Sequence, residues 1–303
     1  MHHRRCVIAG AAAVALTVAC FAPEVTETTA TQPRPEHLPA ATIAPAAPPA
    51  PGESATTVAE PAEVGSRLEH LRSRANDLPV EDTWPGYARL RTTLYERLSV
   101  ASAAFIAGDA DAAHVALDLA HESLAVIRWQ REGHPLRVWS YPLNKHGATH
   151  IADVILDAYG VRWWWGEPVG DIEGSTEPGS LFVAGRAWAI DVESPFVELM
   201  GGDLDALTGL SEDEASQYVD HLVSTVLHEL AHVLIVEAGC ADAGDEVSGG
   251  NLERLADATA YGLMRAPGYP WTTSAKEGYG YLASDVELAR SVFGDGACTA
   301  DEG

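Results

Sequence analysis

Two histidines and a glutamate within five consecutive residues offer the clearest chemistry in this 303-residue chain, where the sequence reads His228-Glu229-Leu230-Ala231-His232. In an α-helix, residues four positions apart lie on one face, so both imidazoles can reach a single metal ion. Zinc binds histidine nitrogen readily, and a catalytic zinc site keeps one position open for water beside three protein ligands. Glu229 can then lie beside that water and act as a general base in hydrolysis.

A second acidic segment offers a third ligand for the same ion. The sequence Leu252-Glu253-Arg254-Leu255-Ala256-Asp257 begins a predicted helix beyond a glycine-rich loop, and Glu253 stands 21 residues after His232. Acidic residues at a helix start also occur for electrostatic reasons alone, because they are favoured by the helix dipole. The HExxH motif at this distance is what makes a ligand role for Glu253 the preferred interpretation.

These two segments together resemble the gluzincin metallopeptidases, and in particular a small, mini-gluzincin-like form. In that family an HExxH helix is followed by a helix that carries a glutamate ligand and an aspartate four residues later. The resemblance covers about 188–263 and implies a zincin-like fold with His228, His232 and Glu253 as ligands of one Zn²⁺. It also implies that Asp257 accepts a hydrogen bond from the far nitrogen of His228, which would hold that ring in place.

The resemblance raises two further expectations about catalysis. Gluzincins need a hydrogen-bond donor for the oxyanion, and Tyr261 is a candidate, as are Tyr279 and Tyr281 in the glycine-rich segment that follows; core packing is the alternative for each tyrosine. The predicted strand from Ala187 to Val192 resembles the edge strand on which such peptidases hold an extended substrate by backbone pairing.

Local signals predict the elements that position these residues. Ser211 and Glu214 form a capping-box signature that opens a long apolar helix ending near Glu237. Weaker patterns predict a helix at 149–159, strands at 161–165 and 181–192, and a helix from 252 to about 264. The fold class is therefore α+β, with the chemistry carried by helices.

Other residues in this region favour structural interpretations. His146 and His150 have metal-like spacing, but Pro142 and Gly147 predict a loop at the first of them. The consecutive tryptophans at 163–165 could line a cleft or pack within a strand.

A helical region is predicted before the catalytic region, at 64–134, with the catalytic region at 135–303. Leucines recur there at helical spacing, and Gly108 and Asp109 separate two helices of a predicted hairpin. The hairpin could dock a partner or cover one side of the catalytic region. No repeat at a fixed period supports a solenoid.

The N-terminal sequence has the character of an export signal. A basic start and an apolar run at 1–20 predict a signal peptide, and the residues before Cys20 resemble a bacterial lipobox, which implies lipidation of Cys20. The following segment, 21–63, is rich in Pro, Ala and Thr and predicts an extended linker. Simple secretion without a lipid is the alternative.

The net charge limits the classes of partner to be expected, and the cysteines indicate one possible disulfide. The formal net charge of −25 makes nucleic acid an unsuitable partner and is compatible with calcium or cationic substrates. Cys240 and Cys298 are the cysteines outside the signal region, and an oxidising compartment would let them pair.

The sequence as a whole predicts an exported zinc metallopeptidase, a hydrolase that acts on a peptide or protein substrate. Two alternatives remain open: a zinc-containing binding module on the cell surface without catalysis, and a zinc amidase that acts on cell-wall peptides. Retention of Glu229 argues against the first alternative, because a purely structural site has no use for a base.

Overall fold

The structure is a computed structural model that describes residues 59–80, 82–136, 143–166, 183–188, 195–201, 204–240, 252–267 and 280–295. The predicted signal peptide, Cys20, most of the linker and Cys298 lie outside these residues. The helices are α1 (Ala59–Asn76), α2 (Tyr87–Ala107), α3 (Ala110–Glu132), α4 (Lys145–Ala158), α5 (Glu212–Glu237), α6 (Leu252–Gly262) and α7 (Ala283–Asp295). The strands are β1 (Arg162–Trp165), β2 (Val183–Trp188) and β3 (Phe196–Gly201), and a 3-10 helix spans Leu204–Gly209.

The predicted hairpin is the pair α2 and α3, and its turn follows the sequence signal. Gly108 adopts φ +76°, a left-handed conformation in which glycine avoids the strain of a side chain. Asp109 caps α3 by accepting a hydrogen bond from the amide of Ala112 at 3.0 Å. Helix α1 packs against both helices, so this region is a layer of three helices.

The described strands form a small mixed sheet in the order β1-β3-β2. β1 runs parallel to β3, with Arg162 opposite Phe196, and β2 runs antiparallel to β3, with Gly185 opposite Leu199. The α+β class predicted from the sequence is thereby confirmed. β3 was not predicted, and residues 189–192 of the predicted second strand lie outside the described residues.

Trp163 and Trp165 of β1 pack on one face of the sheet, whereas Trp164 is exposed on the other face. Trp163 donates to Asp153 at 2.9 Å and Trp165 donates to Thr149 at 3.0 Å, so both indoles lie against α4. Trp164 points to the opposite face, where it stacks on Phe196 with ring centroids 4.3 Å apart. The alternation follows from the two-residue period of a strand.

Helix α4 begins earlier than the predicted residue 149, and the loop prediction at His146 is wrong. Asn144 caps the helix by accepting a hydrogen bond from the amide of Gly147 at 2.9 Å, which makes Gly147 a first-turn residue rather than a breaker. His146 and His150 are both exposed on this helix. They belong to no metal-ligating cluster among the described residues.

Helix α5 forms the centre of the molecule. Both hydrogen bonds of the predicted capping box between Ser211 and Glu214 are present, and the helix ends at Glu237 as expected. Among the described helices, α5 alone is long and apolar enough to cross a membrane, but 83% of its most apolar window is buried inside the protein. The apolar character of α5 is therefore explained by the core, where the helix lies against the sheet, α4 and α6.

Polar contacts join the helical layer to the rest of the protein. Arg97 on α2 donates to the backbone oxygens of Leu119 and Asp157, each at 2.8 Å, and thereby ties α2 to α3 and α4. The indole of Trp84 donates to the carbonyl of Leu263 at 3.1 Å, just beyond α6. The apolar core continues across these contacts.

Candidate metal centre

Helix α5 presents both histidines of the motif to one point. The Nε2 atoms of His228 and His232 are 3.1 Å apart, and the rings meet edge to face with centroids 4.8 Å apart. Both residues are at least 96% buried. The four-residue spacing on a regular helix is sufficient to produce this arrangement.

Helix α6 brings Glu253 to the same point. Its Oε2 lies 3.0 Å from Nε2 of His228 and 3.4 Å from Nε2 of His232. The glutamate side chain is 14% exposed, so the cluster opens toward solvent on the side of this residue. Three potential ligand atoms therefore surround one position between two helices.

Asp257 determines which nitrogen of His228 faces the cluster. Its Oδ1 lies 2.8 Å from Nδ1 of His228, and the carboxylate is fully buried. The contact with Asp257 occupies Nδ1 of His228, so the other ring nitrogen, Nε2, faces the oxygen of Glu253. Nε2 of His228 and the Glu253 oxygen lie 3.0 Å apart, and either a proton or a cation between them would satisfy both atoms.

The electrostatics of Glu253 support an anionic ligand. Burial alone would raise the pKa of this carboxyl, but the neighbouring His232 and His228 outweigh burial and hold its pKa well below the usual value. Glu253 is therefore ionised at neutral pH. An ionised carboxylate and two imidazole nitrogens form a donor set that suits a divalent metal ion.

Glu229, the proposed base, is held between α5 and the sheet. It is 99% buried, and its side chain contacts the backbone of β2 at Gly185. A methyl group added at Gly185 would overlap this glutamate, lying 2.7 Å from Oε1 and 2.8 Å from Cδ. Glycine at position 185 is thus required for the carboxylate to occupy its place.

Tyr261, the candidate oxyanion donor, lies on α6 close to the cluster. Its ring stacks on Tyr281 with centroids 6.4 Å apart, and it is close enough to His228 for the charge of that histidine to act on its hydroxyl. Burial, more than any neighbouring charge, raises the pKa of Tyr261 to about 12, so its hydroxyl keeps its proton. A donor role for Tyr261 remains a prediction, and Tyr279 lies outside the described residues.

Cys240, just after the end of α5, is buried and disulfide-bonded. Its partner lies outside the described residues. Pairing with Cys298 therefore stays a prediction.

The structure adds residues that were not singled out in the sequence. Gly185 touches the proposed base, Glu229, and the amide of Gly280 donates to Asp257. Arg254, next to Glu253, donates to Asp285. Gly185 carried a signal, because an isolated glycine within a strand marks a close backbone approach. Asp285 carried only the general signal of an acidic residue in the first turn of a helix, and its partner Arg254 lies 31 residues earlier in the chain.

The arrangement can hold one metal ion by two imidazoles and a carboxylate, with a second carboxylate, Glu229, adjacent in the chain to the first ligand. A ligand group of this kind, open on one side, suits metal-assisted hydrolysis better than a closed structural site. Comparison of the chain with protein-family models, with curated proteins and with solved structures returned no match.

Proposed function

We propose that this protein is an exported zinc-dependent peptidase of the gluzincin type. The observation that carries the proposal is the convergence of His228, His232 and Glu253, with Asp257 behind the first histidine. The sequence predicts each of these residues from spacing and from the gluzincin resemblance, and the structure brings them together from two helices.

The separations within the cluster support zinc as the metal. Zinc in a tetrahedral site binds nitrogen and oxygen at about 2.0–2.2 Å, which places its ligand atoms roughly 3.3–3.6 Å from one another. The three observed separations are 3.0, 3.1 and 3.4 Å. A small expansion of the cluster would accommodate the ion. Calcium suits the donor set less well, because it takes six to eight oxygen ligands.

Each residue has a distinct role in the proposed hydrolysis. His228, His232 and Glu253 would hold the zinc ion, which supplies Lewis acidity and lowers the pKa of a bound water. Glu229 would take the proton of the attacking water and pass it to the leaving amine. The backbone at Gly185 restricts the positions open to Glu229, and Asp257 keeps the ring of His228 oriented.

The position of β2 supports a peptide as substrate. Among the described strands β2 pairs with β3 alone and runs antiparallel to it, so its other edge has no described strand beside it. The same strand contacts Glu229 through Gly185. An extended peptide that pairs with the edge of β2 beside which no described strand lies would be near the proposed base, in the zincin-like manner.

Export and anchoring belong to the proposal as well. The proposed location is the cell envelope, with a lipid on Cys20 and the linker as a spacer, or the medium if the signal peptide is cleaved without lipidation. The disulfide at Cys240 is compatible with an oxidising compartment.

The test compares the native chain with Glu229→Gln, which keeps the size of the side chain and all three proposed ligands. Glu212→Gln, at the exposed start of the same helix, is the matched control. We expect one zinc per chain in all three proteins by native mass spectrometry. Cleavage of a peptide library should fall roughly 100- to 10,000-fold in Glu229→Gln alone.

Two results would contradict the proposal in different ways. If the native chain stays free of zinc after stoichiometric addition, the proposed zinc site is wrong. If zinc-loaded Glu229→Gln keeps full activity, the proposed role of Glu229 as general base is wrong. Zinc binding without cleavage of any peptide by the native chain would favour the binding-module alternative, and cleavage restricted to cell-wall peptides would favour the amidase.

A further inference from the structure

The two oxygens of Asp257 have different partners, and the second partner comes from a separate part of the chain. Oδ1 faces Nδ1 of His228, while Oδ2 accepts a hydrogen bond from the backbone amide of Gly280 at 2.6 Å. The carboxylate is fully buried. A carboxylate held at both oxygens cannot rotate about its terminal bond without breaking one of these hydrogen bonds, so Gly280 also restrains the histidine.

Gly280 in turn belongs to a short segment that is held at the start of α7. Gly280 adopts φ +76°, a conformation that favours glycine, and thereby directs its amide toward Asp257. Two residues later, the amide of Leu282 donates to Oδ2 of Asp285 at 2.7 Å. Asp285 therefore fixes the segment at one end, as Asp257 does at the other.

Asp285 is anchored to the ligand-bearing helix. Nη2 of Arg254 donates to both of its carboxylate oxygens, at 2.9 and 2.7 Å. The Asp285 side chain is 5% exposed and that of Arg254 is 16% exposed, so water screens this ion pair little. Arg254 directly follows the proposed ligand Glu253, so the ion pair and the ligand share one turn of α6.

Packing keeps α7 in register with α6. At Gly262 a side chain would collide with Val286, because a Cβ there would lie 2.8 Å from Cγ2 of the valine. Val286, Leu288, Ala289 and Val292 are buried along the same helix. α7 therefore lies close enough to α6 for Asp285 to reach Arg254.

We infer that Asp285 is a positioning residue for the metal centre, acting through the 280–282 segment on Asp257 and through Asp257 on His228. Its action on zinc affinity and hydrolysis rests on the proposed function. Its action on the hydrogen bond between His228 and Asp257 does not, because that contact requires no metal.

The experiment measures the hydrogen bond between His228 and Asp257 separately from zinc affinity, in the full-length protein with and without a chelator. Asp285→Ala is compared with Glu287→Ala, which removes the exposed ion pair to Arg290 on the same helix. In the chelated protein, NMR of ¹⁵N-labelled histidine follows the Nδ1 proton of His228, assigned by its loss in Asp257→Ala. We expect this proton to exchange with solvent at least about 10-fold faster in Asp285→Ala and to be unchanged in Glu287→Ala.

Zinc affinity is the second quantity to be measured. Asp285→Ala should weaken zinc binding about 10-fold, measured by competition with a chromophoric chelator. In an Asp257→Ala background the same change should have little further effect, because the two residues act in one chain of contacts and their effects are not additive. A merely structural role for Asp285 would give additive losses.

Equal exchange rates of the His228 proton in Asp285→Ala and Glu287→Ala would overturn the inference, even in a protein that binds zinc and cleaves peptides. A native chain without zinc affinity would instead overturn the proposed function, and the proton measurement would still decide the role of Asp285. If Asp285→Ala does not fold, Asp285→Asn replaces it. That variant keeps an acceptor for Leu282 but loses the charge opposite Arg254, so the His228 proton should still exchange faster in it than in its matched control, Glu287→Gln. Equal rates in these two variants would overturn the inference.

Discussion

The helical layer and the candidate metal centre are both buried, but they bury different kinds of atoms. In α2 and α3 the buried side chains are almost all apolar, with Leu90, Leu94 and Leu117 fully enclosed. In α5 and α6 buried histidines and carboxylates lie beside the apolar residues. A buried polar or charged group costs free energy unless it is paired, and here the pairing of His228 with Asp257 and Glu253 offsets a cost that apolar side chains do not have.

The difference indicates how the two regions contribute. The helical layer supplies packing and covers the ligand-bearing part, to which it is joined by Arg97 and Trp84. The region around α5 concentrates the group of His228, His232 and Glu253 that could hold a metal ion. Changes in the first region should therefore alter the free energy of unfolding, and changes in the second should alter metal binding.

The largest expected effect is in the second region. Glu253→Ala removes one of three proposed ligands and the one carboxylate among them, so zinc affinity should fall by well over the roughly 10- to 100-fold typical of altering a ligand's hydrogen-bond partner. Competition titration with a chelator measures the loss. Excess zinc should restore part of the cleavage activity; unchanged affinity would remove Glu253 from the site.

The matching change in the helical layer is Leu117→Ala. This leucine is fully buried on α3, and such truncations cost about 2–5 kcal/mol because they remove apolar contacts and leave a cavity. Urea unfolding should show that loss, while the folded protein binds zinc as tightly as the native chain. A large change in zinc affinity would mean that the two regions are not separable in this way.

A disulfide between Cys240 and Cys298 would restrain the chain that follows α7. Chain-entropy arguments give about 4 kcal/mol for a closed loop of this length. Cys298→Ser should therefore lower the free energy of unfolding by up to that amount, and thiol counting on unreduced native protein should find neither cysteine free. Two free thiols at these positions would contradict the pairing.

A smaller effect is expected for Asp257→Asn. The amide oxygen can still accept a hydrogen bond from His228, but the charge that stabilises the ring orientation is lost, so zinc affinity should fall about 10- to 100-fold. Parallel measurements of zinc occupancy and cleavage rate test this. A loss equal to that of Glu253→Ala would place Asp257 among the ligands instead.

The smallest effect is expected at the exposed end of α3. Arg128 and Glu132 form an ion pair at 3.3 Å with side chains 35% and 42% exposed. Solvent and salt screen such pairs, which contribute about 0–1 kcal/mol. Glu132→Ala should leave both the urea midpoint and the zinc affinity close to native values.

Local signals in the sequence predicted those helix boundaries that depend on interactions between residues close together in the chain. The capping box at Ser211, the break at Gly108 and Asp109 and the end of α5 depend on hydrogen bonds between near neighbours, and the structure confirms them. The start of α4 was misjudged because Gly147 was interpreted as a breaker, whereas the cap at Asn144 uses its amide. β3 was missed because six residues carry little periodic signal.

The sequence by itself determined that His228 and His232 share a face, because a helix repeats every 3.6 residues. The spacing of Glu253 and Asp257 likewise places both side chains on one face of α6. Only the tertiary structure decided that this face meets α5, with Glu253 Oε2 3.0 Å from His228 Nε2. The contacts of Gly185 with Glu229 and of Gly280 with Asp257 were decided in the same way, because they depend on how helices and strands distant in sequence pack against one another.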